Sequence, residues 1–276
     1  MRKILFAVIL LFLAPVRELA GQRPHILLTN DDGIEHEGIR AMFRALIKVG
    51  TVTVAAPSEN QSAIGHTLQL GDARLYVDTG TDASGAAWHS ITAKPADTLR
   101  LALAELIEEP PDIVVSGSNR GQNLGPITFI SGTLAGAREA AFYGIPAIAV
   151  SIQVGETMDY DGAAEFTAGL VRQYLEQGLP DGSYLSVNYP ALPPTEIKGS
   201  RIVRHSLKMP LLLNFSERSD GQGRIYYAQS LAPAPGIESG TDWSVLEDGF
   251  IAITPMHLDQ THHDLIPLVR GWRIEP

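Results

Sequence analysis

Four short apolar runs, each followed by a helical pattern, constrain the fold of this chain more than any other feature. The runs are HILLT at 25–29, TVTVAAP at 51–57, DIVVSG at 112–117 and PAIAVS at 146–151. Helical spacing of apolar residues follows these runs over residues 39–49, 96–108, 133–142 and 160–177. Continuous apolar strands that alternate with helices indicate an α/β fold, with a mostly parallel sheet covered by helices on both faces.

The sequence changes character after Pro190. YLSVNYP at 184–190 predicts one more strand, whereas the next fifty residues are rich in turns and short alternating runs, which predicts hairpins or an extended arm. GFIAITPMHLD at 249–259 then returns to a strand pattern. We therefore expect a core over residues 25–190 and a C-terminal extension over residues 191–276 that returns to the core.

The N-terminus is typical of an exported protein. Arg2 and Lys3 precede an apolar run over 4–15, which is short for a membrane span and fits a secretory signal. Cleavage after Ala20 is plausible, although Glu18 occupies a position where a small residue is expected. Residues 1–20 are thus read as a signal peptide, and the mature chain is expected to be periplasmic or secreted and to have no stable membrane span. The alternatives are an uncleaved anchor and a misread start codon, and the alternative location is the cytoplasm.

Charge and cysteine content exclude several classes of function. The 276 residues carry a formal net charge of -10, which argues against a surface that binds a nucleic-acid polymer. The chain has no cysteine, which excludes disulfides, thiolate zinc sites and a cysteine nucleophile. A small phosphorylated substrate is still compatible with an acidic protein, because backbone amides, a helix N-terminus or a metal ion can bind it locally.

Two adjacent carboxylates follow the first predicted strand. Asp31 and Asp32 come directly after HILLTN and are followed by Gly33. Neighbouring ionised carboxylates repel each other, and a bound divalent cation would turn this repulsion into attraction. The carboxyl ends of parallel strands are also where such sheets bind ligands. The pair is therefore the first candidate for a metal site.

Two other segments offer hydroxyl, amide and backbone groups at the same edge of the predicted sheet. APSENQSAIGHT at 56–67 supplies Asn60, Ser62 and His66. VVSGSNRGQNLGPITFISGTLAGA at 114–137 supplies Asn119 and then a glycine-rich turn into a helix, a pattern that cradles an anion with free backbone N–H groups. Carboxylate, hydroxyl and amide oxygens suit Mg²⁺ or Mn²⁺, and a metal beside an anion cradle indicates phosphoryl chemistry.

Each of these elements also has a purely structural interpretation. NDDG can be a turn that caps the next helix, Ser62 a capping hydroxyl, and the glycines can serve close packing. The three histidines His257, His262 and His263 match no metal motif and are read as surface or subunit-contact residues. Arg138 and Glu139 are expected on a solvated helix face. The functional interpretation depends on the combination of segments.

The same segments resemble a known family. ILLTNDDGIEHEGI, VAAPSENQSAIGHTL, PDIVVSGSNRGQNLG, ISGTLAGAREAAFYGIPAIAVS and GTDWSVLEDGFIAITPMHLD follow one another as in the SurE family of 5'/3'-nucleotidases, over residues 25 to about 265. The resemblance implies a Rossmann-like core, one divalent metal ion per subunit and dephosphorylation of nucleoside 5'- and 3'-monophosphates, with short polyphosphate as a further substrate of some members. It also implies a homodimer or homotetramer, in which the C-terminal extension reaches between subunits.

The resemblance also assigns roles to individual residues. The implied metal ligands are Asp31, Asp32, Ser62 and Asn119. The implied phosphate contacts are Asn123, Ser131, Gly132 and Thr133. Asp31, Asp32 and Asn123 form the implied catalytic set. Within it, Asp31 accepts a proton or orients water, and a nucleophilic aspartate remains an open alternative.

Departures from the family pattern leave two other functions open. Ser58 and Glu59 replace the usual Asp-Arg, and Ile130 replaces a common tyrosine, which is compatible with a nucleotide- or phosphate-binding protein that has weakened or lost catalysis. A serine esterase would use Ser131 with His66 or His257. The chain has no G-x-S-x-G elbow to support it.

Overall fold

The computed structural model describes residues 23–209 and 211–272, so the predicted signal peptide lies outside the described residues. The strands in these ranges are β1 His25–Thr29, β2 Thr51–Pro57, β3 Val77–Thr81, β4 Ala87–Ile91, β5 Ile113–Arg120, β6 Ala147–Ile152, β7 Ser183–Tyr189, β8 Ser200–Ile202, β9 Leu211–Ser219, β10 Ile225–Pro233 and β11 Ile251–His257. The α-helices are α1 Glu37–Leu46, α2 Pro95–Leu101, α3 Gly132–Phe142, α4 Tyr160–Gln177, α5 Asp242–Glu247 and α6 Ile266–Arg270.

A nine-stranded sheet in the order β3-β4-β2-β1-β5-β6-β7-β11-β8 forms the centre of the protein. Its pairs from β4 through β7 are all parallel, whereas β3 and β11 are antiparallel to their neighbours β4 and β7. The chain leaves β1 toward β2 on one side and later returns to β5 on the other side. In open parallel sheets, the crevice at such a reversal is where ligands bind. The parallel pairing from β4 through β7 confirms the prediction of a mostly parallel α/β sheet.

Alternating side chains of the strands build two apolar layers, one on each face of the sheet. Ile26 and Leu28 of β1 pack in the layer that contains α1 and α4. Leu27, between them, packs in the opposite layer with α3 and the region of α2. Successive side chains of a strand point to opposite faces of the sheet. A strand that is buried on both faces is therefore apolar at nearly every position.

Several predicted boundaries agree with the structure, and two regions differ. The strand at 25–29 and the helix at 160–177 have the predicted limits. The predicted helix over 96–108 is instead α2 followed by a π-helical turn, Ala102–Leu106, because the N–H of Ile107 bonds to the carbonyl of Ala102. Strands β3 and β4 were not predicted. Most of the β3 residues are exposed, so the strand lacks the apolar pattern that marks a buried one.

The C-terminal region contains the predicted hairpin and the predicted return to the sheet. β9 and β10 pair over nine residues each as a separate two-stranded antiparallel sheet. β11 then enters the main sheet beside β7. Among the residues that the structure describes, we find no helix with the length and apolar character needed to cross a membrane.

Candidate functional site

The carboxyl ends of β1 and β5 bring two of the predicted segments together. Thr29 pairs with Ser116, so the residues that follow β1 lie beside the last residues of β5. The carboxylate of Asp32 accepts the backbone N–H of Arg120 over 2.7 Å, and Arg120 directly follows Asn119. Asp31, Asp32 and Asn119 are thus grouped at the point where the strand order reverses.

Asp31 is a buried carboxylate that accepts hydrogen bonds from Thr133. Its side chain is only 3% exposed, and its Oδ1 accepts the hydroxyl proton of Thr133 over 2.6 Å. Burial is the main reason that the pKa of Asp31 is raised to about 7, and the neighbouring Asp32 raises it further against the effect of Thr133. Within the described residues, no lysine or arginine forms a salt bridge with this carboxylate.

Asp32 has a different set of neighbours. Burial raises its pKa as well, although the N–H of Arg120 and the imidazole of His36 act in the opposite direction. The His36 Nδ1 lies 3.7 Å from the Asp32 Oδ2, which is beyond a normal hydrogen bond. Burial therefore raises the pKa of both adjacent carboxyls, and a bound cation would stabilise their ionised forms.

The third segment is residues 58–70, which we call the Ser62 loop. It lies against the turn that contains Asp31 and Asp32, which we call the aspartate turn. The N–H of Gln61 donates to the carbonyl of Asp31 over 2.7 Å. Gly33 permits this approach, because a Cβ there would lie 3.2 Å from the carbonyl carbon of Glu59 and the backbone already has φ +99°. Ser62 itself is exposed, and its N–H bonds to the side chain of Asn60 over 2.7 Å. The structure thus brings the loop of Ser62 to the carboxylate pair.

The two asparagines of the glycine-rich segment are fixed by their amide nitrogens. Asn119 donates from Nδ2 to the carbonyl of Gly121 over 2.6 Å, which leaves its Oδ1 as the atom that can bind a cation. Asn123 donates from Nδ2 to the Ser151 Oγ over 2.8 Å and, more weakly, to the Thr133 Oγ1 over 3.5 Å. Asn123 is only 5% exposed, so this amide is held in place beside the start of α3.

The N-terminus of α3 lies where the sequence predicts an anion cradle. The Ser131 hydroxyl caps the helix by accepting the N–H of Leu134 over 3.2 Å, and its own proton remains available to a ligand. Gly132 lies so close to the carboxylate pair that a Cβ would be 2.7 Å from the Asp31 Cβ. The helix dipole favours an anion at this end, although the N–H groups of Leu134 and Ala135 are already bonded to Ser131. The Thr133 hydroxyl, in contrast, donates to Asp31, and the backbone N–H of Thr133 is also bonded to that carboxylate.

The donor set at this site fits a hard divalent cation. Two carboxylates, one hydroxyl and one amide oxygen leave room for water or phosphate oxygens, as Mg²⁺ and Mn²⁺ prefer. Within residues 23–209 and 211–272, no cluster of three or more histidine, aspartate or glutamate side chains could hold a metal ion. A site with two acidic ligands and neutral oxygens for the rest is consistent with that finding.

The expectation for Arg138 and Glu139 was wrong. Both lie on α3 and are buried, Glu139 completely and Arg138 to all but 8%. Glu139 accepts hydrogen bonds from His66 and Arg100, each over 2.5 Å, and Arg138 donates to the carbonyl of Thr128 over 3.0 Å. The helix is buried along nearly its whole length, so it has no solvated face on which these charges could lie.

The geometry does not support a serine esterase. His66 is bound to Glu139, and Ser131 acts as a helix cap. His257 pairs with Ser183 at the amino end of β7, which is the edge of the sheet opposite Asp31. The structure places His257, His262 and His263 on the surface, in agreement with the sequence-based interpretation.

Sequence reasoning missed two supporting residues. Asn188 accepts the backbone N–H of Asn123 over 2.8 Å, and Ser151 accepts from its side chain. Both are polar residues near the carboxyl ends of buried strands, β7 and β6. That position, on the same rim as the aspartates, is the signal that would have identified them.

Comparison with known proteins gives the same answer as the motifs. The family model described as survival protein SurE matches residues 26–210. A protein named 5'-nucleotidase SurE from Syntrophobacter fumaroxidans is 39% identical over 250 residues, covering 90% of this chain and 99% of that relative. A protein of the same name from Symbiobacterium thermophilum is 38% identical over 253 residues, covering 90% of this chain and 98% of that relative.

A solved structure supports the assignment at the level of the fold. The crystal structure of the SurE protein from Aquifex aeolicus superposes with a TM-score of 0.78 at 33% sequence identity, covering 90% of this chain and 98% of that one. The Rossmann-like core that the resemblance implies is thereby confirmed. Matching motifs, family model, relatives and fold all lead to one conclusion: this chain belongs to the survival protein SurE family.

Proposed function

We propose that this protein hydrolyses nucleoside 5'-monophosphates to a nucleoside and phosphate, with one Mg²⁺ or Mn²⁺ ion per subunit. That the chain is a 5'-nucleotidase is confirmed by relatives of that name, which match it over about nine-tenths of its length. The metal requirement and the residue roles are the proposed part. One observation carries them: Asp31, the chain neighbour of Asp32, lies directly against the N-terminus of α3.

We assign the metal to Asp31, Asp32, Ser62 and Asn119, and the phosphate to Asn123, Ser131, Gly132 and Thr133. A bound divalent cation would act as a Lewis acid that stabilises negative charge on the phosphate oxygens. The positive end of the α3 dipole and the Ser131 hydroxyl orient the phosphate. Asp31, held by Thr133, is placed to accept a proton from the attacking water.

The substrate range is tested by a phosphate-release screen. The panel contains nucleoside 5'- and 3'-monophosphates and short polyphosphate, each with Mn²⁺, Mg²⁺ or EDTA. We expect release from 5'-monophosphates with a metal ion, none with EDTA, and a loss of more than about 100-fold in Asp32→Asn. Asp161→Asn, which removes an exposed carboxylate that pairs with Arg44, is the matched control and should retain activity.

The alternative is a nucleotide-binding protein without turnover. It predicts that calorimetry detects nucleotide binding while the screen detects no phosphate. Activity that survives both EDTA and Asp32→Asn would contradict the metal-dependent mechanism itself.

Two further expectations extend the proposal to assembly and location. The β9–β10 hairpin exposes many large apolar side chains, namely Leu212, Leu213, Phe215, Ile225, Tyr226, Tyr227 and Leu231. Exposed apolar area of this kind supports a homodimer or homotetramer with the hairpin in the interface. Export to the periplasm or the medium rests on residues 1–20 alone, and N-terminal sequencing of the mature protein tests it.

A further inference from the structure

The Ser62 loop is held by polar contacts and contributes nothing to the apolar core. None of residues 58–70 is fully buried. A segment without buried apolar contacts opens at low free energy unless specific hydrogen bonds hold it. The position of Ser62 next to the carboxylate pair therefore depends on a small number of such bonds.

Backbone N–H groups form several of these bonds. At the start of the loop, the N–H of Ser58 donates to the carbonyl of Ile91 over 2.8 Å. Gln61 donates to the carbonyl of Asp31 over 2.7 Å, and Gly65 donates to the carbonyl of Ile130 over 2.9 Å. Gln69 donates to the carboxylate of Asp97 over 2.7 Å, which attaches the far end of the loop to α2. The bonds of Gln61 and Gly65 place the loop between the aspartate turn and the residue that precedes the anion cradle.

Side chains form the remaining bonds. Gln61 and Gln69 accept from Lys94 over 2.9 and 3.1 Å, and a bond from His66 reaches into the protein interior. The Nε2 of His66 lies 2.5 Å from the Oε2 of Glu139, which is completely buried on α3. Arg100 occupies the other oxygen of Glu139 over 2.5 Å, so the carboxylate is fixed from both sides. The His66 ring also contacts the Phe142 ring, with 5.6 Å between centroids.

We propose that His66 is a positioning residue: by binding Glu139 it holds the Ser62 loop against α3 and so fixes Ser62 for metal binding. α3 is the helix whose N-terminus forms the proposed anion cradle. The contact between His66 and Glu139 thus connects the proposed metal ligand Ser62 to the proposed phosphate site through one rigid element. The effect on the metal rests on the proposed function, whereas the effect on the loop does not.

The test compares His66→Ala with His66→Gln. Glutamine keeps an N–H donor at the end of a side chain of similar reach, whereas alanine removes it. Lys48→Ala is the control, because it removes an ion pair between the turn after α1 and Glu165 of α4, away from the loop. Two quantities are measured without substrate: hydrogen exchange of the amides in residues 58–70, and the Kd of Mn²⁺ by calorimetry.

In His66→Ala we expect exchange of the loop amides to be about tenfold faster and the Mn²⁺ Kd to rise by about tenfold. His66→Gln should recover most of both effects, and Lys48→Ala should change neither. A merely structural role would lower the Tm of His66→Ala and leave loop exchange and Mn²⁺ affinity unchanged; this result would overturn the proposal.

The outcomes separate this proposal from the proposed function. If the wild-type protein binds Mn²⁺ but releases no phosphate, the proposed function is contradicted, while faster loop exchange in His66→Ala still supports the positioning role. If the wild type is active and His66→Ala retains both its loop protection and its Mn²⁺ affinity, the positioning role is contradicted and the function stands.

Discussion

The hydroxyl of Thr133 donates to the Oδ1 of Asp31 over 2.6 Å, and this bond joins the start of α3 to the end of β1. The two residues are 102 positions apart in the chain, yet both belong to the proposed site. Asn123 donates weakly to the same hydroxyl, so the three side chains form a continuous buried chain of hydrogen bonds. Such a chain restricts the orientation of the Asp31 carboxylate.

Replacing Thr133 by valine tests this restriction. Valine has nearly the same shape but no hydroxyl, so Asp31 loses the hydrogen bond from this hydroxyl and with it part of its fixed orientation. We expect kcat to fall by about tenfold or more, with a smaller change in KM, in phosphate-release kinetics. Thr133→Ser keeps the hydroxyl and should retain most of the activity. Equal activity of the valine and serine variants would contradict the role of this bond.

Replacing Gly132 by alanine tests the contact between the cradle and the carboxylate pair. The added Cβ would lie 2.7 Å from the Asp31 Cβ and 2.8 Å from its Oδ2, so either Asp31 or the helix must move. We expect loss of activity and weaker Mn²⁺ binding, because a displacement of about 1 Å at a catalytic centre can reduce the rate by about 100-fold.

The chain offers a matched control for this variant. Gly169 lies inside α4, and a Cβ there would meet nothing within 4 Å. Gly169→Ala should leave activity unchanged and stabilise the protein by about 0.4–1 kcal/mol, because alanine restricts the unfolded chain. An active Gly132→Ala variant would show that the cradle and Asp31 are less closely packed than the structure indicates.

We expect acid to lower the free energy of unfolding, because Glu139 becomes protonated. Burial by itself would raise the pKa of this carboxyl, but the hydrogen bonds from His66 and Arg100 outweigh burial, and the pKa lies below its ordinary value of 4.5. A carboxyl whose folded-state pKa is lowered stabilises the fold above its unfolded-state pKa. This stabilisation is lost as the pH falls through the folded-state value.

Unfolding in urea at several pH values measures this contribution. Above about pH 5, we expect Glu139→Gln to unfold with a lower free energy than the wild type, by an amount that does not depend on pH. Below about pH 4.5, the difference should shrink as Glu139 becomes protonated in the wild type. A difference that stayed constant down to pH 3 would contradict the ionised state of Glu139.

The exposed apolar side chains of the β9–β10 hairpin lead to a prediction about subunit assembly. Phe215 is 63% exposed and Leu231 is 62% exposed on strands that form a separate two-stranded sheet. We expect the wild type to be a dimer or tetramer by light scattering, and the double variant Phe215→Ser, Leu231→Ser to shift toward smaller species. Because these side chains contribute little to the core of the single chain, its Tm should change little. An unchanged mass would place the subunit interface elsewhere.

The sequence predicts the sheet and the site because both depend on local patterns. Strand β1 and the long helix α4 have strong apolar periodicity, and each was predicted with its observed limits. The proposed metal ligands lie at or after the carboxyl ends of strands, and the topology of a parallel sheet brings such positions to one rim. Strand β3 was missed because an edge strand with exposed residues lacks this periodicity.

The burial of charged side chains could not be predicted from the sequence. Glu139 was expected in solvent because a charged residue on a helix is usually exposed. Its partners His66 and Arg100 are 73 and 39 positions away, so no local pattern reveals that the charge is neutralised in the interior. The roles of Ser151 and Asn188 likewise depend on contacts between strands that are distant in the chain.

Anomalous scattering from crystals grown with Mn²⁺ tests the central claim most directly. We predict one strong anomalous peak per chain, in contact with side-chain oxygens of Asp31, Asp32, Ser62 and Asn119. The same preparation should release phosphate from a nucleoside 5'-monophosphate. A preparation that shows this activity while its manganese peak lies away from these four side chains, or while no peak is present, would contradict the claim.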